Sequence, residues 1–328
     1  MTLETHRSAG SQVLRHRIAC PARAGNGLGD PETVLVDVYL PPGGGRDCPL
    51  LVALAGYGGS GLALCQWKGF EESLADRLDR LITTGAMPPT VVACPDGFNR
   101  LGGNQYIKSP VFGDWPSLLA DDLVPVLKQA YGCGGHAGQG LFGNSSGGYG
   151  ALMNLIARPD VWQVAACHCG DMGFAQLYLP MMPALLRALR AYGGEPKRWL
   201  ESGTQDIDVL LMLAMAASYD PDPEAYLGIR LPVDPHTAQI IPERWQAWLD
   251  HDPVVGALKG ALRLAKGQWL YIDCGLDDEY NLLYGARQLV QTLPVAGIEY
   301  REYEGTHRGS SARWDESLPF IVGKLGAR

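Results

Sequence analysis

Short runs rich in β-branched residues alternate with longer runs of helical periodicity along most of the chain. Seven runs predict strands, including a continuous apolar run at 49–56, and they lie at 33–40, 49–56, 90–96, 138–143, 163–169, 268–275 and 298–305. Four runs between them predict helices, at 70–81, 117–131, 146–157 and 282–293. Because strands that alternate with helices usually form a parallel sheet, we predict an α/β fold with a mostly parallel central sheet and helices on both faces.

The segment 171–266 interrupts this alternation. It contains helical runs at 183–194 and 242–251, several Pro-containing turns and no convincing strand. We therefore predict a single domain over residues 1–328, with a helical insertion at 171–266 between two strands of the sheet. Two interpretations of the insertion stay open, namely a lid over a functional site and a helical layer that only covers the sheet.

Charge and hydropathy exclude two classes of partner. The formal net charge is -8 and no Lys/Arg cluster interrupts it, so we expect no nucleic acid partner. Residues 1–20 lack the apolar core of a secretory signal, and the most apolar run, 208–217, is too short to span a bilayer. We therefore expect no membrane contact and a cytoplasmic location, while a homo-oligomer is left open.

The eight cysteines include no C-x-x-C pair of the kind that zinc and redox sites use, so most are expected to be small buried hydrophobes. Cys167, His168 and Cys169 stand together, but alternate residues of a strand point to opposite faces, so these side chains should diverge. We predict no metal and no cofactor.

The stretch 142–152, "FGNSSGGYGAL", joins a predicted strand to a predicted helix through two adjacent serines. A nucleophile on such a turn adopts a strained backbone and needs small neighbours two residues away on each side. Ser145 has Gly143 and Gly147 at these positions, whereas Ser146 has Asn144 before it. The sequence therefore favours Ser145 as a nucleophile and the Ser146 N–H as a donor to a developing oxyanion.

A serine nucleophile requires a histidine base and a carboxylate that orients this base. A strand–nucleophile–helix turn of this kind demands the chain order Ser, then Asp or Glu, then His, with both partners on loops after later strands. His307 follows the last predicted strand, and Asp277 and Asp278 follow the strand before it. The order therefore selects His307 and leaves both acids open.

The segments "ALAGYGGSG", "GNSSGGYGALMN", "DCGLDDEYN" and "YEGTHR" resemble the putative-esterase family of α/β-hydrolases. This family includes esterase D (S-formylglutathione hydrolase), feruloyl esterases, enterochelin esterases and mycolyltransferases. The resemblance spans roughly residue 34 to the C-terminus and implies an α/β-hydrolase fold with a Ser-Asp-His triad. It implies that the triad is Ser145, Asp278 and His307, because the family acid stands three residues after the glycine of "CG".

The resemblance also implies an oxyanion hole shared between the Ser145 turn and the loop after an early strand. That loop reads "AGYGG" where relatives usually carry a His-Gly pair, so the donor beside Ser146 is either Tyr57 or Gly58. Four aromatic residues fall near pocket segments of the family and are our candidates for substrate binding: Tyr106, Trp115, Tyr149 and Tyr178. They could equally be core residues that cap the sheet.

Together these features predict a serine esterase that acts on a small-molecule carboxylic ester or thioester. Two alternatives remain, an acyltransferase that uses the same acyl-enzyme and a catalytically silent relative that serves as a binding module.

Overall fold

A nine-stranded sheet runs through the centre of the molecule, in a computed structural model that describes residues 4–6, 10–293 and 296–326. The strands of the described residues are β1 Glu4–His6, β2 Gln12–Ala19, β3 Thr33–Leu40, β4 Leu50–Leu54, β5 Val91–Pro95, β6 Lys108–Ser109, β7 Gly113–Asp114, β8 Gln139–Asn144, β9 Val164–His168, β10 Trp269–Gly275 and β11 Ile298–Tyr303. Strands β6 and β7 form a separate two-stranded ribbon, and the other nine form the central sheet.

The strand order in the sheet is β1-β2-β3-β5-β4-β8-β9-β10-β11. Every neighbouring pair from β5 to β11 is parallel, whereas β1, β2 and β3 pair antiparallel and β3 pairs antiparallel with β5. This arrangement confirms the predicted mostly parallel sheet, and all seven predicted strands are present. The antiparallel edge formed by β1 and β2 was not predicted.

Helices cover both faces of the sheet. They are α1 Gly61–Leu64, α2 Leu74–Thr83, α3 Trp115–Ser117, α4 Val124–Tyr131, α5 Ser146–Ala157, α6 Phe174–Leu177, α7 Met182–Arg190, α8 Pro196–Glu201, α9 Ile207–Tyr219, α10 Pro242–Leu249, α11 Pro253–Leu258, α12 Leu282–Thr292 and α13 Trp314–Gly326. A π-helical stretch, Leu118–Leu123, joins α3 to α4. Helices α2 and α13 share one hydrophobic core with the sheet, and α4, α5 and α12 share a second core.

Helices α6 to α11 all lie between β9 and β10, in the segment that the sequence analysis described as an insertion. Helix α9 packs into the second core, and its residues from Met212 to Tyr219 are buried. The buried side chains of α7, Met182, Leu185 and Leu189, belong to the same core. Much of this segment is therefore packed interior and not a loose cover.

The longest helices of the described chain, α9 and α13, have 13 residues each. No helix among the described residues has the length and apolar character needed to cross a bilayer.

Candidate active site

Ser145 lies at the junction of β8 and α5 with φ 55° and ψ -127°, in a region that non-glycine residues rarely adopt. Its N–H donates a 2.8 Å hydrogen bond to the carbonyl of His168, at the end of the neighbouring strand. A Cβ atom at Gly143 would lie 2.5 Å from the Leu54 carbonyl oxygen, and one at Gly147 would lie 2.0 Å from the same atom. The tight turn therefore needs glycine at both positions, as the sequence pattern indicated.

Asp278 and His307 meet beyond the ends of β10 and β11. The Nδ1 atom of His307 lies 2.8 Å from Oδ2 of Asp278, and the Asp278 side chain is buried. The N–H groups of Tyr280 and Leu282 donate to Oδ1 of Asp278 at 3.0 and 3.3 Å. The neighbouring Asp277 is exposed, so of the two adjacent acids Asp278 is the one in contact with the histidine.

The loop that carries His307 is fixed at several points. The His307 N–H donates to Oε2 of Glu279 at 2.7 Å, and the Tyr280 ring meets the imidazole edge to face at 4.9 Å between centroids. Further along, Trp314 Nε1 donates to Oδ1 of Asn144 at 2.7 Å, which ties the segment that follows the histidine to the residue before Ser145. The imidazole is therefore held in place relative to the Ser145 turn.

Cys169 lies beside this pair, which the sequence analysis did not foresee. The Cys169 thiol and the nearest ligand atoms of Asp278 and His307 all lie within 4.8 Å of one another. The chain turns sharply at Cys169, which has φ 43°, directly after β9. This turn brings the thiol to the histidine, whereas His168 binds Asp273 and Ser317 in the interior at 2.8 and 2.9 Å.

Neighbouring groups shift the pKa values of His307 and Cys169 in opposite directions. Burial lowers the pKa of His307, but hydrogen bonds to Asp278 and Cys169 outweigh burial and raise that pKa to about 10. A hydrogen bond with Cys274 is the main cause that lowers the pKa of Cys169 to about 6, and it raises the pKa of Cys274. Cys169, Asp278 and His307 could also hold a metal ion, but the direct hydrogen bond between Asp278 and His307 suits proton transfer.

The two sides of the predicted oxyanion hole lie next to each other. A Cβ atom at Gly56 would lie 3.5 Å from the Ser145 Cβ, so the loop after β4 passes directly beside the serine. The Gly58 N–H already donates to the Gly102 carbonyl at 2.9 Å, which argues against Gly58 as a donor and favours the Tyr57 N–H. Ser146 is the first residue of α5, so its N–H has no partner within the helix.

A pocket of about 290 Å³ opens at this point. Residues from seven segments of the chain line it, namely Gly56, Tyr57, Asn144, Ser145, Asp171, Leu177, Tyr178, Ile207, Asp208, Leu211, Tyr280, Leu282, His307, Arg308 and Ser310. A larger cavity of about 550 Å³, between α7 and residues 235–238, has no serine and no acid in its lining. The smaller pocket therefore holds the candidate chemistry.

The four aromatic residues expected to bind substrate divide into two groups. Tyr178 lines the pocket, but Tyr106, Trp115 and Tyr149 do not. Tyr106 packs edge to face on Trp115 at 5.0 Å and donates its hydroxyl hydrogen to the Ala55 carbonyl, while Tyr149 donates to the His251 carbonyl. These three residues are buried core aromatics, so the expected substrate-binding role was wrong for them and they pack the core instead.

Several pocket residues were not predicted from the sequence, because they come from the insertion. Ile207, Asp208 and Leu211 belong to the start of α9. Most residues of this helix are apolar, so its sequence does not show which side faces a pocket. Asp171 follows β9 and is 4% exposed. Its position after a strand, at the edge where Ser145 also lies, is the signal that could have identified it.

A family model described as putative esterase matches residues 30–325. Similar solved structures include an S-formylglutathione hydrolase from Agrobacterium tumefaciens (15% identity, 99% of each chain, TM-score 0.60) and a ferulic acid esterase (15% identity, 96% of this chain and 98% of that chain, TM-score 0.54). An enterobactin esterase from Shigella flexneri shares 14% identity over 95% of this chain and 59% of its own, with a TM-score of 0.55.

No curated protein matches the sequence. The structural likenesses show the α/β-hydrolase fold, and the family model covers most of the chain, from the start of β3 almost to the end of α13. The chain belongs to the putative esterase family.

Proposed function

We propose that the protein is a serine esterase that hydrolyses a carboxylic ester or thioester through an acyl-enzyme on Ser145. The observation that carries the proposal is a single pocket lined by a serine with a strained backbone and by a histidine that is hydrogen-bonded to a buried aspartate. A serine hydroxyl is a poor nucleophile by itself, and a histidine base oriented by a carboxylate is what activates it.

In the first half of the reaction, the neutral imidazole of His307 takes the proton of the Ser145 hydroxyl as Oγ attacks the acyl carbonyl. Asp278 accepts the Nδ1–H of His307, which leaves the lone pair of Nε2 available and stabilises the imidazolium that forms. His307 then delivers its proton to the leaving alcohol or thiol, and the acyl group stays on Ser145.

The N–H groups of Ser146 and Tyr57 are the proposed donors to the tetrahedral oxyanion. Both sit at fixed backbone positions, so they cost no reorganisation when the charge develops, and one such donor is typically worth about 3 kcal/mol of barrier. A water molecule, deprotonated by His307, then attacks the acyl-enzyme and releases the acid. Hydrolysis completes the cycle with the serine proton restored.

Turnover of a short p-nitrophenyl ester tests the proposal. We expect release of p-nitrophenol above the background rate, lost in Ser145→Ala and mostly kept in the matched control Ser146→Ala, since alanine retains the backbone N–H. Equal rates for the wild type and Ser145→Ala would overturn the proposal.

A further inference from the structure

Asp171 is a buried carboxyl group on the pocket that the proposed mechanism does not use. It is 4% exposed and lines the same pocket as Ser145 and His307. Buried carboxyl groups are rare unless their oxygens have partners. Its hydrogen bonds therefore indicate what it does.

One oxygen of Asp171 is fully occupied by two donors. Gln105 Nε2 and the Tyr178 hydroxyl each donate to Oδ2 at 2.9 Å, and both donors are buried. Gln105 Nε2 also donates to Oγ of Ser146 at 2.9 Å, which links Asp171 to the residue after the nucleophile. These bonds fix the orientation of the carboxyl group.

The other oxygen, Oδ1, has no hydrogen-bond partner among the described residues. It is not one of the enclosed unpaired atoms of the core, and Asp171 is part of the pocket wall, so Oδ1 is the atom that faces the pocket. A carboxylate oxygen accepts hydrogen bonds. The complementary group on a ligand is a hydrogen-bond donor.

The surroundings favour a hydroxyl group over an ammonium group as this donor. The Tyr178 hydroxyl has one hydrogen, which it donates to Asp171. The Tyr219 hydroxyl, 3.2 Å away, therefore donates to Tyr178 and occupies an acceptor position of the Tyr178 oxygen. The Oε1 atom of Gln105 is enclosed, and the adjacent Leu177 is apolar. An ammonium group has three N–H donors, and among these side chains only Oδ1 of Asp171 is left as an acceptor for it, whereas a hydroxyl group needs one acceptor.

The protonation of Asp171 is also compatible with a hydroxyl group as the ligand. Burial is the main cause that raises the pKa of Asp171, so the neutral form of this carboxyl group is more favoured than in an exposed aspartic acid. A neutral hydroxyl group can bond to either form of the carboxyl group, because an alcohol both donates and accepts.

The location of Asp171 assigns the hydroxyl group to the acyl part of the substrate. His307 must pass its proton to the leaving group. The His307 side chain is 15% exposed, and the next residue, Arg308, is exposed. The leaving group therefore occupies the open side of the pocket. Asp171 and Tyr178 form the buried side, where the acyl chain remains during the acyl-enzyme stage.

We propose that Asp171, held by Gln105 and Tyr178, determines specificity for an acyl group that carries a hydroxyl. The proposal rests on the proposed esterase function and adds a substrate class to it. Asp171 touches the substrate remote from the bond that breaks, so its role is to discriminate between substrates.

Three matched sets of ethyl esters test the proposal. The first is the ester of a short straight-chain acid, the second carries a hydroxyl group at successive positions of that acid, and the third carries an amino group at the same positions. For the wild type we expect at least one hydroxylated ester to be preferred over the plain ester by roughly 10- to 100-fold in kcat/KM, the range for a hydrogen bond to a buried carboxyl group. Asp171→Leu should bring this ratio to about one.

Asp171→Asn provides a second variant, because it keeps an acceptor for Gln105 and Tyr178 and so preserves their bonds; it should lower the ratio several-fold. Asp220→Asn is the control, since Asp220 is another buried acid of the insertion that pairs with Arg230 outside the pocket wall.

Three results would overturn this inference alone: equal kcat/KM for all esters, a preference for the amino-substituted esters, or a ratio unchanged in both Asp171 variants. No turnover of any ester would overturn the proposed function and the inference together.

Discussion

The Oδ2 atom of Asp278 lies 2.8 Å from Nδ1 of His307, whereas Asp277, one residue earlier, is exposed. Neighbouring residues of an extended segment point in different directions, so two adjacent acids have different surroundings. The Asp277 N–H instead donates to the Gly305 carbonyl, which holds the loop against the end of β11 through the backbone.

Replacement of Asp278 by Asn should lower kcat/KM by about 10⁴-fold, because the amide favours the wrong imidazole tautomer, as in related triads. Replacement of Asp277 by Asn should cost little, since the charge of an exposed carboxylate is largely screened. Both values can be measured on one activated ester, with circular dichroism as a check of the fold. A large loss at Asp277 with near-normal activity at Asp278 would reverse the assignment.

The pKa of His307, raised to about 10, predicts an alkaline pH profile. The imidazole must be neutral to accept the Ser145 proton, so kcat/KM should rise about tenfold per pH unit below this pKa and level off near it. Burial opposes this shift, and the bonds to Asp278 and Cys169 produce it.

Cys169→Ala removes one of those bonds and should move the plateau of kcat/KM to lower pH. Cys167→Ala is the control, because Cys167 lies two residues earlier in β9, where its buried thiol packs in the core. A plateau at the same pH in the wild type and Cys169→Ala would show that the thiol does not influence the base.

The sheet and the Ser145 turn could be read from the sequence because each depends on local pattern. Continuous apolar runs marked β4 and β5, and the glycines at 143 and 147 marked the turn, since a side chain there would collide with Leu54. Strand β2 was missed because it lies next to the sheet edge and carries charged side chains, of which Arg15 binds Asp37 at 2.6 Å.

The pocket wall was harder to predict because it depends on contacts between segments far apart in sequence. Asp171 and Gln105 are 66 residues apart and meet only in the fold. Conversely, Tyr106 and Trp115 belong to a segment that was expected to line the pocket, but both are buried in the core. Sequence pattern alone does not distinguish an aromatic residue in a core from one in a pocket wall.

Helix α9 should control the preference for acyl size. Leu211 lines the pocket and is only partly exposed, so Leu211→Ala enlarges the pocket and should favour longer acyl esters over the shortest one by roughly 3- to 30-fold relative to the wild type. Leu258→Ala, at an exposed position of the insertion outside the pocket wall, should leave the ratio unchanged. A wild-type ratio in Leu211→Ala would place the acyl chain elsewhere.

His168 should contribute to stability and not to proton transfer. Its ring is wholly buried between Asp273 and Ser317, so His168→Ala removes the partner of Asp273 Oδ1, whereas Arg313, 3.4 Å away, contacts only the other oxygen, Oδ2. Breaking a buried pair of this kind typically costs about 3 kcal/mol in the free energy of unfolding. Urea denaturation measures the loss, with the exposed His236→Ala as the control, and a loss equal to that of the control would contradict this role.

The identity of the covalently modified residue tests the central claim most directly. The wild type should be labelled once by a fluorophosphonate, and peptide mapping by mass spectrometry should place the label on Ser145, whose backbone conformation and glycine flanks fit a nucleophile. Ser146→Ala should still be labelled and Ser145→Ala should not. Labelling that persists in Ser145→Ala, or a label found on Ser146, would contradict the account.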